Sequence, residues 1–217
     1  SARKNADNFT AEQLCDAVRF CHYSGVKVYV TLNTLVFDRE IPLLAKAIEN
    51  CAKADVDAFI VQDMGVARLS RQIVPELPLH ASTQMTVNSP EGAIMAKELG
   101  FTRVVLGREL SFAQIKAITE SCDIETELFV HGALCVCISG QCYMSSVLGG
   151  RSGNRGLCAQ PCRLDFTSGD RHNVLSLKDL SLTEKLPELA KAGITSFKIE
   201  GRMKRPEYVA GVVNACR

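Results

Sequence analysis

The stretch AEQLCDAVRFCHYSGVKVYVTLN, residues 11–33, changes its hydrophobic period within one short segment. Residues 11–25 carry apolar side chains at helical spacing and end at Gly25, whereas residues 27–33 alternate apolar and polar side chains. A helix that ends in glycine and leads directly into a strand is the repeating unit of a parallel α/β sheet. The stretch therefore predicts an α/β fold class.

The same alternation continues to the C terminus. With KVYVTLN the chain has seven predicted strands, the others being DAFIVQD, PLHASTQ, RVVLGRE, TELFVHG, NVLSLKD and SFKIEGR. Because the chain begins with a helix, we expect an eighth strand upstream of Ser1. The prediction is a (β/α)8 TIM-like barrel that lacks its first strand, as a single partial barrel domain over residues 1–217 without a C-terminal domain. A doubly wound open sheet is the alternative.

Composition narrows the class of protein without identifying a partner. The 217 residues are 47% hydrophobic and carry a formal net charge of +1, so overall charge does not select a nucleic acid or a membrane surface. No apolar run approaches the ~18 residues that span a bilayer, and the first residues show no signal-peptide pattern. We expect a cytoplasmic protein with no membrane contact, in which the ten cysteines are reduced.

Polar side chains follow each of the predicted strands. In a barrel these positions meet at one mouth, where the active sites of that fold lie. The strand ends are Asn33, Gln62, Asp63, Gln84, Arg108, Glu109, His131, Lys178, Asp179, Lys198, Glu200 and Arg202. Exposure at the end of a strand explains any one of them equally well. Their convergence nevertheless predicts a site, in which Glu109 is one catalytic candidate.

The stretch HGALCVCISGQCYMSSVLGGRSGNRGLCAQPCR, residues 131–163, holds five of the ten cysteines. It predicts a cysteine-rich loop over residues 132–172, inserted after the sixth barrel strand. Cys135, Cys142, Cys158 and Cys162 are the predicted metal ligands. Zinc and a four-iron four-sulfur cluster both remain open, and the wide spacing favours the cluster. A disulfide or simple burial is the alternative, and for the fifth cysteine, Cys137, burial is the prediction.

Charged residues near these cysteines predict binding of an anion. Arg151 and Arg155 lie in a segment without acidic residues, and Arg202 follows the last strand, so all three are candidates for binding a cofactor or a carboxylate. Lys198 and Glu200 are two residues apart on a strand and point to the same face, which makes them catalytic candidates. An ion pair between them that only fills the barrel is the alternative.

A second type of chemistry starts from His131, which lies four positions before Cys135. A thiol beside an imidazole can act as a nucleophile, which is the arrangement of a cysteine peptidase. However, a Cys135 that ligates iron cannot also serve as a free nucleophile. The chain contains neither a His-Glu-x-x-His nor a Gly-x-Ser-x-Gly motif.

Three motifs carry a resemblance to a known family. ELFVHGALCVCISGQCYMSS, GRSGNRGLCAQPCR and FKIEGRMKRPEYVA are similar to those of the collagenase-like peptidase family of unassigned catalytic type, family 32 of the "unknown" class. The resemblance spans nearly the whole chain, including SARKNADNF at its start. The chain looks close to the branch that hydroxylates tRNA uridine at position 5.

The resemblance has functional implications. It implies an iron-sulfur-dependent RNA hydroxylation enzyme with a four-iron four-sulfur cluster on four cysteines, acting on the tRNA wobble uridine or another RNA. Prephenate, a small carboxylate, is the implied co-substrate. The family name also implies a hydrolase, so a collagenase-like protease is one alternative and a non-catalytic cluster-bearing assembly factor is another. A homo-oligomer or a sister subunit is expected to compensate for the missing strand.

Overall fold

A computed structural model describes residues 8–217, so most of the SARKNADNF stretch lies outside the described residues. The helices are α1 Ala11–Tyr23, α2 Ile41–Lys53, α3 Met64–Ile73, α4 Pro90–Glu98, α5 Phe112–Ser121, α6 Met144–Gly149, α7 Leu186–Lys191 and α8 Pro206–Cys216. The strands are β1 Tyr29–Leu32, β2 Ala58–Val61, β3 Leu79–Ala81, β4 Arg103–Val105, β5 Glu125–Gly132, β6 Leu180–Ser181 and β7 Ser196–Ile199.

The first helix and strand form as residues 11–33 predict. Thr10 caps α1 through a capping box, in which its hydroxyl accepts from the Gln13 N–H at 3.2 Å and the Gln13 side chain accepts from the Thr10 N–H at 2.9 Å. Gly25 has a φ of +68°, which glycine adopts without steric cost, and the chain then turns into β1. Local sequence therefore fixes both ends of this unit.

The strands form one sheet in which neighbours are mainly parallel. The order runs from β1 to β5, and β7 pairs with β5 in parallel. The α/β class with a parallel sheet is thus confirmed, as a half-barrel. In the described part of the chain, β1 and β7 each pair with a single strand, so no closed eight-stranded barrel is present there.

The predicted strand NVLSLKD is wrong. Residues 173–179 are irregular, and Asn173 has a left-handed φ of +55°, which breaks an extended run. Arg163 also binds the carbonyl of Leu177 and, at 2.9 Å, the hydroxyl of Ser176, so this segment bonds to the cysteine-rich loop instead of a strand. The chain next enters the sheet at β6, which is antiparallel to β5. As a result, β7 lies directly beside β5.

The hydrophobic core lies between the sheet and the helices on its outer face. Its largest fully buried members include Phe59 of β2, Leu79 of β3, Ile48 of α2 and Ile118 of α5. Each buried side chain of this size stabilises the fold by about 1.5–3 kcal/mol. The core fixes the strands, and thereby the positions of the loops that follow them. Among residues 8–217, no helix has the length and apolar character to cross a membrane.

Candidate functional site

A cavity of about 210 Å³ lies at the carboxyl ends of the strands. Its wall comes from the ends of six strands, β1 to β5 and β7, and from the cysteine-rich loop. The strand residues that line it are Thr31, Asn33, Ile60, Ser82, Thr83, Gln84, Arg108, Phe129, Lys198, Glu200 and Arg202. Arg202 donates a hydrogen bond of 3.3 Å to the Thr31 hydroxyl, which links the end of β7 to β1 across the opening of the half-barrel.

Three of the four predicted metal ligands line this cavity, namely Cys135, Cys142 and Cys158. Cys162 does not line it, but it lies close to two of them. Burial raises the pKa of the Cys162 thiol, Arg163 lowers it, and the neighbouring thiols of Cys135 and Cys158 raise it further. The structure therefore gathers the predicted ligands at one side of the cavity.

Cys137, which the sequence predicted to be buried, lies in the same group. Its thiol is half-buried, and burial followed by the nearby thiols of Cys142 and Cys135 raises its pKa. A fifth thiol thus neighbours two of the four predicted ligands.

The donor chemistry of this group fits an iron-sulfur cluster. The described cysteines are all free thiols. The sulfur of Cys158 accepts from the Gln160 N–H at 3.4 Å and from the Ser145 hydroxyl at 3.9 Å, which are contacts that stabilise a ligating thiolate. Within residues 8–217, no three Cys, His, Asp or Glu side chains converge closely enough to hold a single metal ion. Four thiolates that bind a four-iron cluster need not converge on one atom, because each of them binds a different iron.

Of the three predicted cofactor-binding arginines, only Arg202 lines the cavity. Arg155 pairs with Glu40 at 2.6 Å, donates to the Leu35 carbonyl at 2.7 Å and lies over the Phe37 ring. Arg151 donates to the Leu157 carbonyl at 3.0 Å. An irregular segment leaves backbone carbonyls without partners, and these guanidinium groups satisfy them. Their placement gives no support to a cofactor-binding role.

The ion pair between Arg155 and Glu40 fastens the cysteine-rich loop to the loop after β1. The Arg155 hydrogen bond, with a further bond from the Phe37 N–H, lowers the pKa of Glu40 to about 2. Glu40 is therefore ionised at any physiological pH. The pair joins residues 115 positions apart, so local sequence patterns carry no signal for it.

Lys198 and Glu200 both line the cavity, as the shared strand face predicts. The ion pair between them, which was the alternative to a catalytic role, is not observed. Lys198 Nζ instead lies 2.6 Å from Glu127 Oε1 and over the Phe129 ring. Glu127 belongs to β5, which is the immediate neighbour of β7 because no strand separates them.

The other two predicted catalytic residues lie outside the cavity lining. His131 Nδ1 is 2.9 Å from the Tyr208 hydroxyl of α8. Glu109 accepts from the Ser139 N–H at 3.1 Å and from its hydroxyl at 3.0 Å. Glu109 thereby anchors the cysteine-rich loop to the end of β4.

More of the polar residues at the strand ends line the cavity than were predicted as catalytic or binding residues. Arg108 was left out of the predicted catalytic and binding residues, yet it lines the cavity. It donates to the Ala133 carbonyl at 2.9 Å and lies over the Phe129 ring, while its buried Nε has no protein partner. Gln84 likewise lines the cavity, and its buried side-chain oxygen has no hydrogen-bond partner in the protein. Polar atoms left without protein partners at a cavity are typical of a ligand site.

Three relatives align with nearly the whole of this chain. The 23S rRNA 5-hydroxycytidine synthase of Escherichia coli K12 is 44% identical over 219 residues, which cover 97% of this chain and 33% of that protein. The tRNA hydroxylation protein P1 of Bacillus subtilis 168 is 38% identical over 229 residues, with coverages of 99% and 54%. The collagenase of Porphyromonas gingivalis W83 is 34% identical over 227 residues, with coverages of 95% and 54%. The chain thus spans between a third and about half the length of these relatives.

A solved structure shares the fold. The U32 peptidase Mk0906 superimposes with a TM-score of 0.59 at 15% identity, and the alignment covers 92% of this chain and 80% of that one. The model of Peptidase family U32 matches residues 1–217. Since the family model matches from the first residue to the last and the fold agrees with that of a solved relative, the chain belongs to Peptidase family U32.

Proposed function

We propose that the chain is the cluster-bearing catalytic part of an RNA hydroxylase that oxidises a pyrimidine base. One observation carries the proposal: Cys135, Cys142 and Cys158 line the same cavity as Lys198 and Glu200. The names of the relatives from Escherichia coli and Bacillus subtilis, one for rRNA and one for tRNA hydroxylation, support it. The wobble uridine of tRNA is the proposed target, in the cytoplasm.

Cys135, Cys142, Cys158 and Cys162 would hold a four-iron four-sulfur cluster. When bound, the cluster accepts or relays electrons at the wall of the cavity. Gln160 and Ser145 stabilise the Cys158 thiolate through the contacts described above. The cluster would therefore lie beside the substrate pocket.

Basic residues of the cavity would orient anionic groups. Arg108, Lys198 and Arg202 bring three positive charges to a wall whose single carboxylate, in the described part of the chain, is that of Glu200. A guanidinium and an ammonium in this arrangement bind the carboxylates of a small co-substrate such as prephenate, or a phosphate next to the target base. Glu200, which lines the same cavity, would accept or donate the proton that moves at the reacting base.

The size of the cavity sets how RNA would enter. At about 210 Å³ it is smaller than the ~300 Å³ typical of sites for drug-sized ligands, so it admits a single base and not a helix. The target base would have to leave its stack, as in other enzymes that modify bases. A single-stranded loop offers such a base at low energetic cost, which favours an anticodon loop over a duplex.

Anaerobic purification followed by metal and RNA analysis tests the proposal. We expect about four iron atoms and four acid-labile sulfides per chain, lost in Cys158→Ser and retained in Cys216→Ser, a control at the last residue of helix α8 that does not line the cavity. RNA added together with the proposed carboxylate co-substrate and a two-electron acceptor should gain one oxygen on a pyrimidine. A Lys198→Met variant that keeps its iron but no longer modifies RNA would rule out a non-catalytic assembly factor.

Peptidase activity is the second candidate, because the relative from Porphyromonas gingivalis is named collagenase. Its nucleophile would be Cys135, which lies at the cavity, with His131 as the base. The bond between His131 and Tyr208 occupies one imidazole nitrogen and leaves the other for such a role. Cleavage of gelatin or casein that disappears in both Cys135→Ala and His131→Ala would establish it. Cleavage that survives in both variants would assign the activity to a contaminant.

A further inference from the structure

Glu127 lies beneath the cavity as a buried carboxylate with three hydrogen-bond donors. Its side chain is 7% exposed. Lys198 Nζ donates at 2.6 Å, the Ser196 hydroxyl at 3.0 Å and Arg103 Nη1 at 3.3 Å. Such a set of donors compensates for the cost of removing the carboxylate from water.

These donors keep Glu127 ionised. Burial raises the pKa of the Glu127 carboxyl, but the positive charge and hydrogen bond of Lys198, the Ser196 hydroxyl and the charge of Arg103 outweigh it, so the pKa lies below its ordinary value. A fixed negative charge thus lies next to the Lys198 ammonium.

Lys198 is the member of this group that reaches the cavity. Glu127 and Arg103 do not line it. Arg103 is already engaged by Glu125 at 2.7 Å and lies over the Tyr29 ring. The Lys198 side chain is 27% exposed, and its ammonium nitrogen lies 5.3 Å from the centre of the Phe129 ring. Any influence of Glu127 on a bound substrate therefore passes through Lys198.

The register of the sheet produces this contact. Glu127 lies opposite Ser196, and Phe129 lies opposite Lys198, on directly paired strands. Side chains two residues apart share a face, so Glu127, Phe129 and Lys198 point to the same interior. Had a strand separated β5 from β7, as the sequence predicted, the carboxylate could not have reached the ammonium.

We propose that Glu127 is a positioning residue, which fixes the charged ammonium of Lys198 at the cavity wall for an anionic or carbonyl group of the substrate. Its effect on turnover rests on the proposed RNA hydroxylation. Its effect on the reactivity of Lys198 does not, and the two can be measured separately.

The experiment compares Glu127→Gln with two matched variants in anaerobically purified protein. Glu125→Gln removes the neighbouring carboxylate, which also binds Arg103 but makes no contact with Lys198 in the structure. Glu127→Asp keeps the charge and withdraws it by one methylene. The first readout is competitive acetylation with acetic anhydride at trace concentration, in which mass spectrometry compares Lys198 with the exposed Lys116.

Acetylation requires a Lys198 nitrogen that the reagent can reach, and the 2.6 Å contact with the Glu127 carboxylate holds this nitrogen in an ion pair. Relative acetylation of Lys198 should rise about threefold or more in Glu127→Gln, where the ion pair is lost, rise by a smaller factor in Glu127→Asp, and stay within about twofold in Glu125→Gln. Unchanged acetylation in Glu127→Gln would overturn the proposal. If Glu127→Gln does not fold, Glu127→Asp decides, and equality with the wild type overturns the proposal in the same way.

The second readout is RNA hydroxylation. In Glu127→Gln, kcat should fall about ten- to hundredfold while KM for RNA changes less than about threefold and iron content stays constant, because remote contacts dominate RNA binding. Glu127→Asp should restore part of the loss. If the wild type hydroxylates no RNA, the proposed function fails while the acetylation result still decides the role of Glu127. If acetylation rises but kcat is unchanged, Glu127 does not act as a positioning residue.

Discussion

Gly140→Ala should weaken the attachment of the cysteine-rich loop to the sheet. Gly140 has a left-handed φ of +78°, and a Cβ built on it would lie 2.3 Å from the Gln84 carbonyl oxygen and 3.0 Å from the Gln84 Cα. Backbone atoms cannot rotate away as a side chain can, so the loop and the segment after β3 would have to separate. Both segments line the cavity.

The cost follows from two effects. A left-handed backbone costs a residue with a Cβ about 1–2 kcal/mol, and forcing an extra methyl into a packed contact typically costs about 1–3 kcal/mol. Together they give a loss of about 2–5 kcal/mol in the free energy of unfolding if the contact does not relax. Partial relaxation would lower this figure and would open the cavity.

Urea denaturation followed by circular dichroism measures the loss. Gly149→Ala is the matched control, because Gly149 ends a helix, has no left-handed φ, and its added Cβ would meet no atom within 4 Å. The control should be neutral or stabilising by less than about 1 kcal/mol. If the free energies of unfolding of Gly140→Ala and Gly149→Ala agree within about 0.5 kcal/mol, the loop does not contact Gln84 as closely as described.

Three further predictions concern pH and salt. Arg155 lowers the pKa of Glu40 to about 2, so the pair stabilises the fold fully above the ordinary carboxyl pKa of about 4.3 and loses this contribution as the pH falls towards 2. In Glu40→Gln the midpoint of urea unfolding should therefore decrease less than in the wild type over this pH range. Burial, and then the charge of Arg103, lowers the pKa of His80 from 6.5 to about 4. The free energy of unfolding should therefore decrease by on the order of 3 kcal/mol as the pH falls from 6.5 to 4. His80→Phe should abolish this decrease in the free energy of unfolding, whereas His172→Gln, which changes an exposed histidine, should retain it. RNA affinity should fall by about tenfold or more between 50 and 200 mM salt if several phosphates are bound, and a flat response would contradict RNA binding.

Local sequence was enough to predict the repeating part of the fold. The capping box at Thr10, the glycine at position 25 and the alternation in residues 27–33 are all short-range signals, and the structure has each element. The segment NVLSLKD shows the limit of such signals. Its alternation fits a strand, but hydrogen bonds from Arg163 and a left-handed Asn173 exclude it from the sheet.

The site was predictable where it depends on strand ends and not where it depends on register. Lys198, Glu200 and Arg202 line the cavity because the carboxyl ends of parallel strands meet there. The partner of Lys198 depends on which strand lies beside β7, which the sequence did not reveal. The basic segment around Arg155 indicated an anion site. The charge of Arg155 is instead matched by Glu40, a residue 115 positions away.

The most direct measurement of the central proposal is mass spectrometry of RNA nucleosides from cells with and without this gene. Complementation with the wild type and with Cys158→Ser completes the set. The proposal predicts a pyrimidine nucleoside with one added oxygen, which is absent without the gene, restored by the wild type and not restored by Cys158→Ser. Identical nucleoside profiles in all four samples would contradict RNA hydroxylation as the function of this chain.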